Sequence, residues 1–140
     1  MDATLEQAIK EANTALPERK LVALIERTNL SADMKALLSD LAKVTVKVGQ
    51  KVHSIGRKIL TVVFDLIKAF PTITLGVIAA LVITALLGSI PFLGGALAGL
   101  LSSILLILGI SAGALQDFSN PNLSERIDKL LASLSGLASI

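Results

Sequence analysis

The 140-residue sequence lacks cysteine, tryptophan and tyrosine, and it contains a single histidine. The absence of cysteine excludes disulfide bonds, thiolate catalysis and cysteine metal sites. His53 has no carboxylates beside it in the sequence, so it does not indicate a metal site. The first 20 residues are rich in charge and contain no apolar run of the kind found in secretory signals, and we therefore expect the chain to begin in the cytosol.

The sequence also lacks any charged residue or histidine from residue 69 to residue 116, a stretch of 48 residues. A hydrocarbon core about 30 Å thick is crossed by about 20 apolar residues, so this stretch is long enough for two spans. Its middle contains Pro91, Gly94 and Gly95, which are typical of a turn. We predict a transmembrane helical hairpin over residues 71–116, with arms at 72–90 and 96–115.

The alternative is a central hairpin that is wholly buried inside a helical globule or oligomer, which apolar periodicity does not exclude. The composition favours the membrane, because 53% of the residues are hydrophobic, only 17% are charged and the mean hydropathy is +0.76. The residues outside the hairpin would otherwise have to cover it on every side while also forming their own turns and solvated faces.

Amphipathic helices are predicted on both sides of the hairpin. Residues 1–30 carry balanced charge and two short apolar repeats separated by Pro17, which predicts a cytosolic pair of helices or two helices that pack on a neighbour. Residues 117–140 contain a break at Pro121 and then one apolar stripe, which predicts a C-terminal amphipathic helix that begins at Pro121 or Ser124. That helix is suited to packing under the hairpin or against the N-terminal helices.

Residues 31–70 are basic and carry apolar residues at helical spacing. Ser31 is predicted as the N-cap, and the apolar steps average close to 3.6 residues, which favours one long helix over a strand at residues 44–48. The basic residues fall on the opposite side, where we expect them to contact anionic lipid headgroups. They are Lys43, Lys47, Lys51, Arg57, Lys58 and Lys68.

Two other roles remain open for this helix, namely packing on identical helices in a bundle and covering its own neighbouring helices. Basic residues that flank a span stay on the cytosolic side, so we expect the cytoplasmic (inner) membrane with both termini inside. The basic residues are not interleaved with tyrosine or tryptophan, and no recognition motif is present, which argues against nucleic acid as a partner.

Small residues recur at helical spacing along both arms. They let helix backbones approach closely, so we predict that they close the hairpin and mediate homo-oligomerisation. These residues are Gly76, Ala80, Thr84, Gly88, Gly95, Gly99, Ser103, Gly109 and Gly113.

No pattern in the sequence indicates an enzyme. It contains no nucleophile with a matching base, no glycine-rich phosphate loop followed by lysine, and no carboxylate pair with a reason to be desolvated. The arms contain no ionisable group, which argues against a proton relay or a coupled transporter. We expect no cofactor, no metal and no small-molecule substrate.

Residues 71–115, with two uncharged arms around an apolar turn and charged amphipathic helices outside, resemble the hydrophobic hairpin of pore-forming colicins and similar bacterial toxins. The resemblance implies insertion into a cytoplasmic membrane and loss of its permeability barrier. The layout is also similar to membrane-curvature proteins such as those of thylakoid edges, and to phage holins.

The sequence therefore predicts an all-α membrane protein that homo-oligomerises and forms a pore or permeabilises the membrane, of bacterial or phage origin. The alternatives are a curvature-inducing or scaffolding hairpin, and an accessory subunit of a larger membrane complex.

Overall fold

The computed structural model describes residues 3–139, and most of them are helical, which confirms the predicted all-α class. The α-helices are α1 Ala3–Ala12, α2 Glu18–Glu26, α3 Ala32–Ala42, α4 Ile55–Ala69, α5 Leu75–Ser89, α6 Gly94–Leu108, α7 Ala112–Leu115 and α8 Pro121–Ser133. Two short strands, β1 Val46–Val48 and β2 Lys51–His53, lie between α3 and α4. Short 3-10 segments occur at Pro91–Leu93, Gln116–Phe118 and Ser135–Ser139.

Helices α3, α4, α5 and α6 form a four-membered ring in which each helix packs on the next and α6 packs back on α3. An added Cβ at Gly76, near the start of α5, would lie 3.1 Å from Met34 Cε near the start of α3 and 3.2 Å from Leu108 Cδ2 at the end of α6. At the opposite end, Gly56 near the start of α4 packs against the carbonyl of Leu41 near the end of α3. Neighbouring helices in the ring are therefore antiparallel, as in an up-down bundle.

The first hairpin arm, α5, is the centre of the hydrophobic core. Every residue from Leu75 to Ile83 is buried, so the helix is enclosed on all sides along more than half of its length. Helices α4, α6, α7 and α8 all pack on it. In this structure the first arm therefore matches the alternative of a helix buried in a helical globule.

The remaining helices cover α4 and α5 with one apolar face each. Helix α2 packs on α3 and α4, whereas α1 packs on α4 and on the 3-10 segment at Ser135–Ser139. The carbonyl of Thr4 lies so close to Gly136 that a side chain at that position would collide with it. The two N-terminal helices thus share the core with the hairpin, which corresponds to the predicted alternative of packing on neighbours.

The C-terminal helix begins where the sequence predicts. Asn120 Oδ1 accepts a hydrogen bond from the backbone N–H of Leu123 at 2.9 Å, and Pro121 occupies the first helical position. The apolar stripe of α8 faces α4, α5 and α1, so it packs both under the hairpin and against the N-terminus.

The predicted single helix over residues 31–70 is wrong. The N-cap is confirmed, since Ser31 Oγ accepts from the Met34 N–H at 3.2 Å, but α3 ends at Ala42 and a β-hairpin follows. Gly49 has a φ of +63° and Gln50 follows it in a two-residue loop, which are the φ signs of a type II′ turn. The tight contact between Gly56 and the α3 backbone then sets the angle at which α4 returns.

The second hairpin arm is also shorter than predicted. Helix α6 ends at Leu108. The next residue, Gly109, has a φ of +68°, and the N–H of Ile110 donates to the carbonyl of Leu105 at 3.2 Å, as in a Schellman motif. Within residues 3–139, the segment Pro91–Leu108 is the one helix long and apolar enough to cross a membrane, with a mean hydropathy of 2.1 over 18 residues. Helix α5 has 15 residues and a length of about 22 Å, so a hairpin of two full spans is not established.

Candidate functional site

Helix α6 presents one side to the bundle and the other to the outside. Leu97 and Ile104 are fully buried against the ring, because α3 and α5 are the helices that cover this arm. About 180° around the helix lies a face made of small residues and one leucine, and all of them are exposed. They are Gly95, Ala98, Gly99, Ser102 and Leu106. We refer to these five residues as the outer face of α6.

The hairpin that carries this face is itself uncharged, and on one side it borders the charged helix α3. Leu106 is 82% exposed, Phe92 is 43% exposed and Ile107 is 40% exposed. The chain has no ionisable residue between Lys68 and Asp117, so no charge from α5, α6 or α7 interrupts this surface. Only 17% of the segment Pro91–Leu108 is buried inside the protein. An exposed apolar surface of this kind marks an interaction site for a membrane or another protein.

The small residues of the two arms are in different environments. Gly76 and Ala80 are buried in the bundle, and Thr84 Oγ1 donates to the carbonyl of Ala80 at 2.8 Å. An added Cβ at Gly95 or Gly99 would meet no atom within 4 Å. On α6, Leu97 is buried and Leu108 Cδ2 lies beside Gly76 of α5, whereas Gly95 and Gly99 lie on the outside.

The other residues of the predicted packing set do not form one continuous contact. Ser103 is half-buried, Gly88 and Gly113 are exposed with no atom within 4 Å of an added Cβ, and Gly109 terminates α6. In the turn, Pro91 and Gly95 are exposed and Gly94 begins α6.

The prediction that all six basic residues contact lipid is wrong for Arg57 and Lys58. Lys58 is 8% exposed, and its Nζ donates to Glu11 Oε1 at 2.8 Å and to Thr14 Oγ1 at 3.0 Å. Arg57 Nε donates to the carbonyl of Leu16 at 2.9 Å. Both side chains bind residues at the end of α1 or in the α1–α2 connection, so their charged groups are bonded within the protein and do not face lipid.

The other four basic residues are exposed, but they do not form one stripe. Lys43, Lys47 and Lys51 belong to the connection between α3 and α4, and Lys68 lies at the opposite end of α4. The break in the predicted long helix causes this separation. We call the end of the bundle that contains residues 43–54 and the α5–α6 turn, residues 90–93, the β-hairpin end.

The β-hairpin turns one face to the core and the other outward. Val46 pairs with His53, and Val46 is buried, whereas Lys47 pairs with Val52 and both are exposed. Val52 is 64% exposed, so its side chain is available on the outer face of the sheet. The sequence does not predict Val52 as a surface residue, because the helical spacing over residues 31–70 assigns it to the apolar side of one long helix.

The α5–α6 turn is anchored by two buried residues, and the two residues between them are exposed. Ile90 and Leu93 are buried, and the N–H of Leu93 donates to the carbonyl of Ile90 at 3.1 Å. Pro91 and Phe92 lie between these two anchors and are exposed. The turn therefore presents an aromatic ring at the β-hairpin end.

A polar cleft lies between α1, α4 and α8, lined in part by Glu11, Lys58, Asp65, Arg126 and Lys129. Among the described residues, no group of three or more His, Asp or Glu side chains is placed to hold a metal ion. The lining of the cleft includes Glu11 and Lys58, the ion pair that connects α1 to α4, so we assign these two residues a structural role. The prediction that the protein is not an enzyme stays a prediction.

No protein-family model matches the chain, and comparison with curated proteins and with solved structures returns no significant match. The resemblance to pore-forming colicins therefore stays a prediction based on architecture.

Proposed function

We propose that this protein inserts its α5–α6 hairpin into a lipid bilayer and, as a homo-oligomer, permeabilises it. The observation that carries the proposal is the outer face of α6. This face is uncharged and mostly apolar, and α6 packs on α5, a second uncharged helix. The proposal includes the cytoplasmic (inner) membrane as the location, with both termini on the inner side, because the basic residues before the hairpin favour that side.

Helix α6 enters the bilayer before helix α5 in this mechanism. Leu106 is already on the surface, so moving it into lipid removes apolar area from water without first breaking a core contact. Each such large side chain contributes about 2 kcal/mol when it is fully removed from water. The segment Pro91–Leu108 also has enough residues to approach the thickness of the hydrocarbon core.

Helix α5 inserts after α6, because it has no charged side chain and no unsatisfied polar side chain. Between Leu75 and Gly88, the only side chain with a polar atom is that of Thr84, and its hydroxyl is bonded to the carbonyl of Ala80 within the same helix. That bond persists when the helix moves into lipid, so no unsatisfied donor is created. At about 22 Å, α5 is shorter than a hydrocarbon core of about 30 Å, and its insertion therefore thins the bilayer locally.

The outer face of α6 supports the proposed contact between copies of the chain. Gly95 and Gly99 are separated by three residues, and the space outside both is open. This spacing allows two helices in a membrane to approach at backbone distance. The hydroxyls of Ser102 and Ser103 would then line the opening between subunits.

Release of a fluorescent dye from vesicles that contain anionic phospholipid tests the proposal. We expect prompt leakage with the natural sequence and about tenfold slower leakage with Gly99→Leu, because leucine blocks close helix approach in an assembly. Ala132→Leu, at an exposed position of α8, is the matched control and should leak at the natural rate. Absence of leakage by the natural sequence rejects permeabilisation, and unchanged leakage by Gly99→Leu rejects assembly through this face.

One observation favours a second candidate, a hairpin that induces curvature. Because α6 is packed on one side only, it is able to lie at shallow depth in one leaflet while α5 stays in the core. That function predicts vesicles that become tubular and retain their dye. A protein that neither releases dye nor deforms vesicles would instead fit an accessory subunit of a larger membrane complex.

A further inference from the structure

We propose that the β-hairpin end of the bundle is the surface that docks on an anionic phospholipid bilayer. Three lysines, Lys43, Lys47 and Lys51, bind the headgroup phosphates, while Val52 and Phe92 enter the boundary of the acyl chains. This inference rests on the proposed membrane function and adds to it the chemistry of the partner and the part of the protein that meets it first.

The topology of the bundle brings the two parts of this surface together. The ring of α3, α4, α5 and α6 is antiparallel, so the α3–α4 connection and the α5–α6 turn leave the bundle at the same end. Packed helices have axes about 8–10 Å apart, so the two connections lie about one helix spacing from each other. Residues more than 35 positions apart in the sequence thus form one surface.

The charge of the α3–α4 connection, residues 43–54, is suited to an anionic surface. The chain has no acidic residue between Asp40 and Asp65, and the three lysines lie within that interval. All three are exposed, and none of them forms an ion pair within residues 3–139. Lysines close to an anionic membrane surface each contribute to binding, so a group of three forms an effective electrostatic contact.

The exposed apolar residues of this end stand next to buried residues that anchor them. Val52 stands opposite Lys47 on the outer face of the β-hairpin, and Val46 anchors that hairpin from the core side. Phe92 stands between the buried residues Ile90 and Leu93. Exposed apolar side chains next to flexible lysines are typical of proteins that bind the membrane interface, because the lysine stems reach the phosphates while the apolar groups sink below them.

The opposite end of the bundle also exposes apolar side chains, Leu106 and Ile107 near the end of α6, but its charges differ from those of the β-hairpin. Asp33 and Lys68 place both signs of charge there, and Lys35 Nζ donates to the backbone carbonyl of Glu26 at 3.3 Å. Docking by the β-hairpin end also places the uncharged α5–α6 turn against the bilayer, which is the part of the hairpin that has to cross first.

Sedimentation of the full chain with vesicles measures docking separately from leakage. On vesicles of phosphatidylglycerol and phosphatidylcholine, we expect Lys43→Gln/Lys47→Gln/Lys51→Gln to bind about 100-fold more weakly than the natural sequence. Arg27→Gln/Lys68→Gln/Lys129→Gln removes the same charge from exposed positions away from the β-hairpin end, and its binding should weaken by less than about threefold. An equal loss of vesicle binding in both triple variants would overturn the proposed docking surface.

Because the chain contains no tryptophan, a single introduced tryptophan reports the orientation of the protein on the bilayer. In Phe92→Trp, we expect brominated lipids to quench the fluorescence of the docked protein, whereas Phe118→Trp, at the other strongly exposed phenylalanine, should stay unquenched. Binding without quenching at position 92 would overturn the inference.

The two proposals fail in different ways. A natural sequence that binds anionic vesicles through the three lysines and never releases dye would reject the permeabilising function and support the docking surface. Equal release of dye from neutral and anionic vesicles by the natural sequence, together with unquenched fluorescence of Phe92→Trp before leakage, would reject the docking surface alone.

Discussion

Lys58 and Glu11 form an ion pair across 47 positions of the sequence, with 2.8 Å between Lys58 Nζ and Glu11 Oε1. Lys58 is buried, so it would carry an uncompensated charge if the carboxylate were absent. The pair connects α1 to α4, the helix that packs directly on α5. It therefore contributes to the enclosure of the buried hairpin arm.

Removing one partner of this pair should destabilise the fold. We expect Glu11→Ala to lower the free energy of unfolding by about 2 kcal/mol, less than for a fully buried pair because the glutamate is partly exposed. The double variant Glu11→Leu/Lys58→Met should recover most of this loss, since it leaves no buried charge. Urea unfolding followed by circular dichroism measures both, and a Glu11→Ala protein as stable as the natural sequence would contradict the structural role of the pair.

The junction between α3 and α4 depends on a glycine that has no room for a side chain. Gly56→Ala would drive a methyl group into the carbonyl of Leu41, and we expect it to cost more than about 2 kcal/mol because backbone atoms have to move. Gly88→Ala is the control, since its added Cβ meets open space and alanine favours the helix by up to about 1 kcal/mol. Thermal unfolding of the two variants should therefore shift in opposite directions.

The β-hairpin turn is sensitive to the residue at its left-handed position. We expect Gly49→Val to destabilise the protein by about 1–2 kcal/mol, because a β-branched residue is strained at a positive φ. Gly49→Asn should cost less than half as much, because asparagine adopts this conformation more readily. Equal stability of the valine variant and the natural sequence would mean that no such turn forms.

The two sides of α6 should respond differently to substitution. Leu97→Ala removes a fully buried side chain and should lower the free energy of unfolding by about 2–4 kcal/mol. Leu106→Gln changes an exposed side chain and should alter stability by less than about 0.5 kcal/mol. We expect the Leu106 variant nevertheless to release dye more slowly, and leakage at the natural rate would argue against the entry of this face into lipid.

Local features of the chain were predicted well. Ser31 caps α3, Pro121 begins α8 and the C-terminal apolar stripe lies in the core, because caps, proline and apolar spacing act within one or two turns of helix. The break between α3 and α4 was missed. There the apolar spacing fits a helix and the alternation at 44–48 fits a strand, and the turn at Gly49 together with the α3 contact at Gly56 decides between them.

By itself, the sequence determined that the protein is helical and contains a long uncharged middle with a turn, because composition and local spacing control these properties. Only the tertiary structure decided that α5 is enclosed while α6 is exposed, and that Lys58 is buried while Lys47 is not. These outcomes depend on partners far away in the chain, such as Glu11 for Lys58 and α8 for α5. A helix with apolar residues on every side does not specify which neighbour will cover it, and here α8 and α4 cover the first arm and leave the second to face outward.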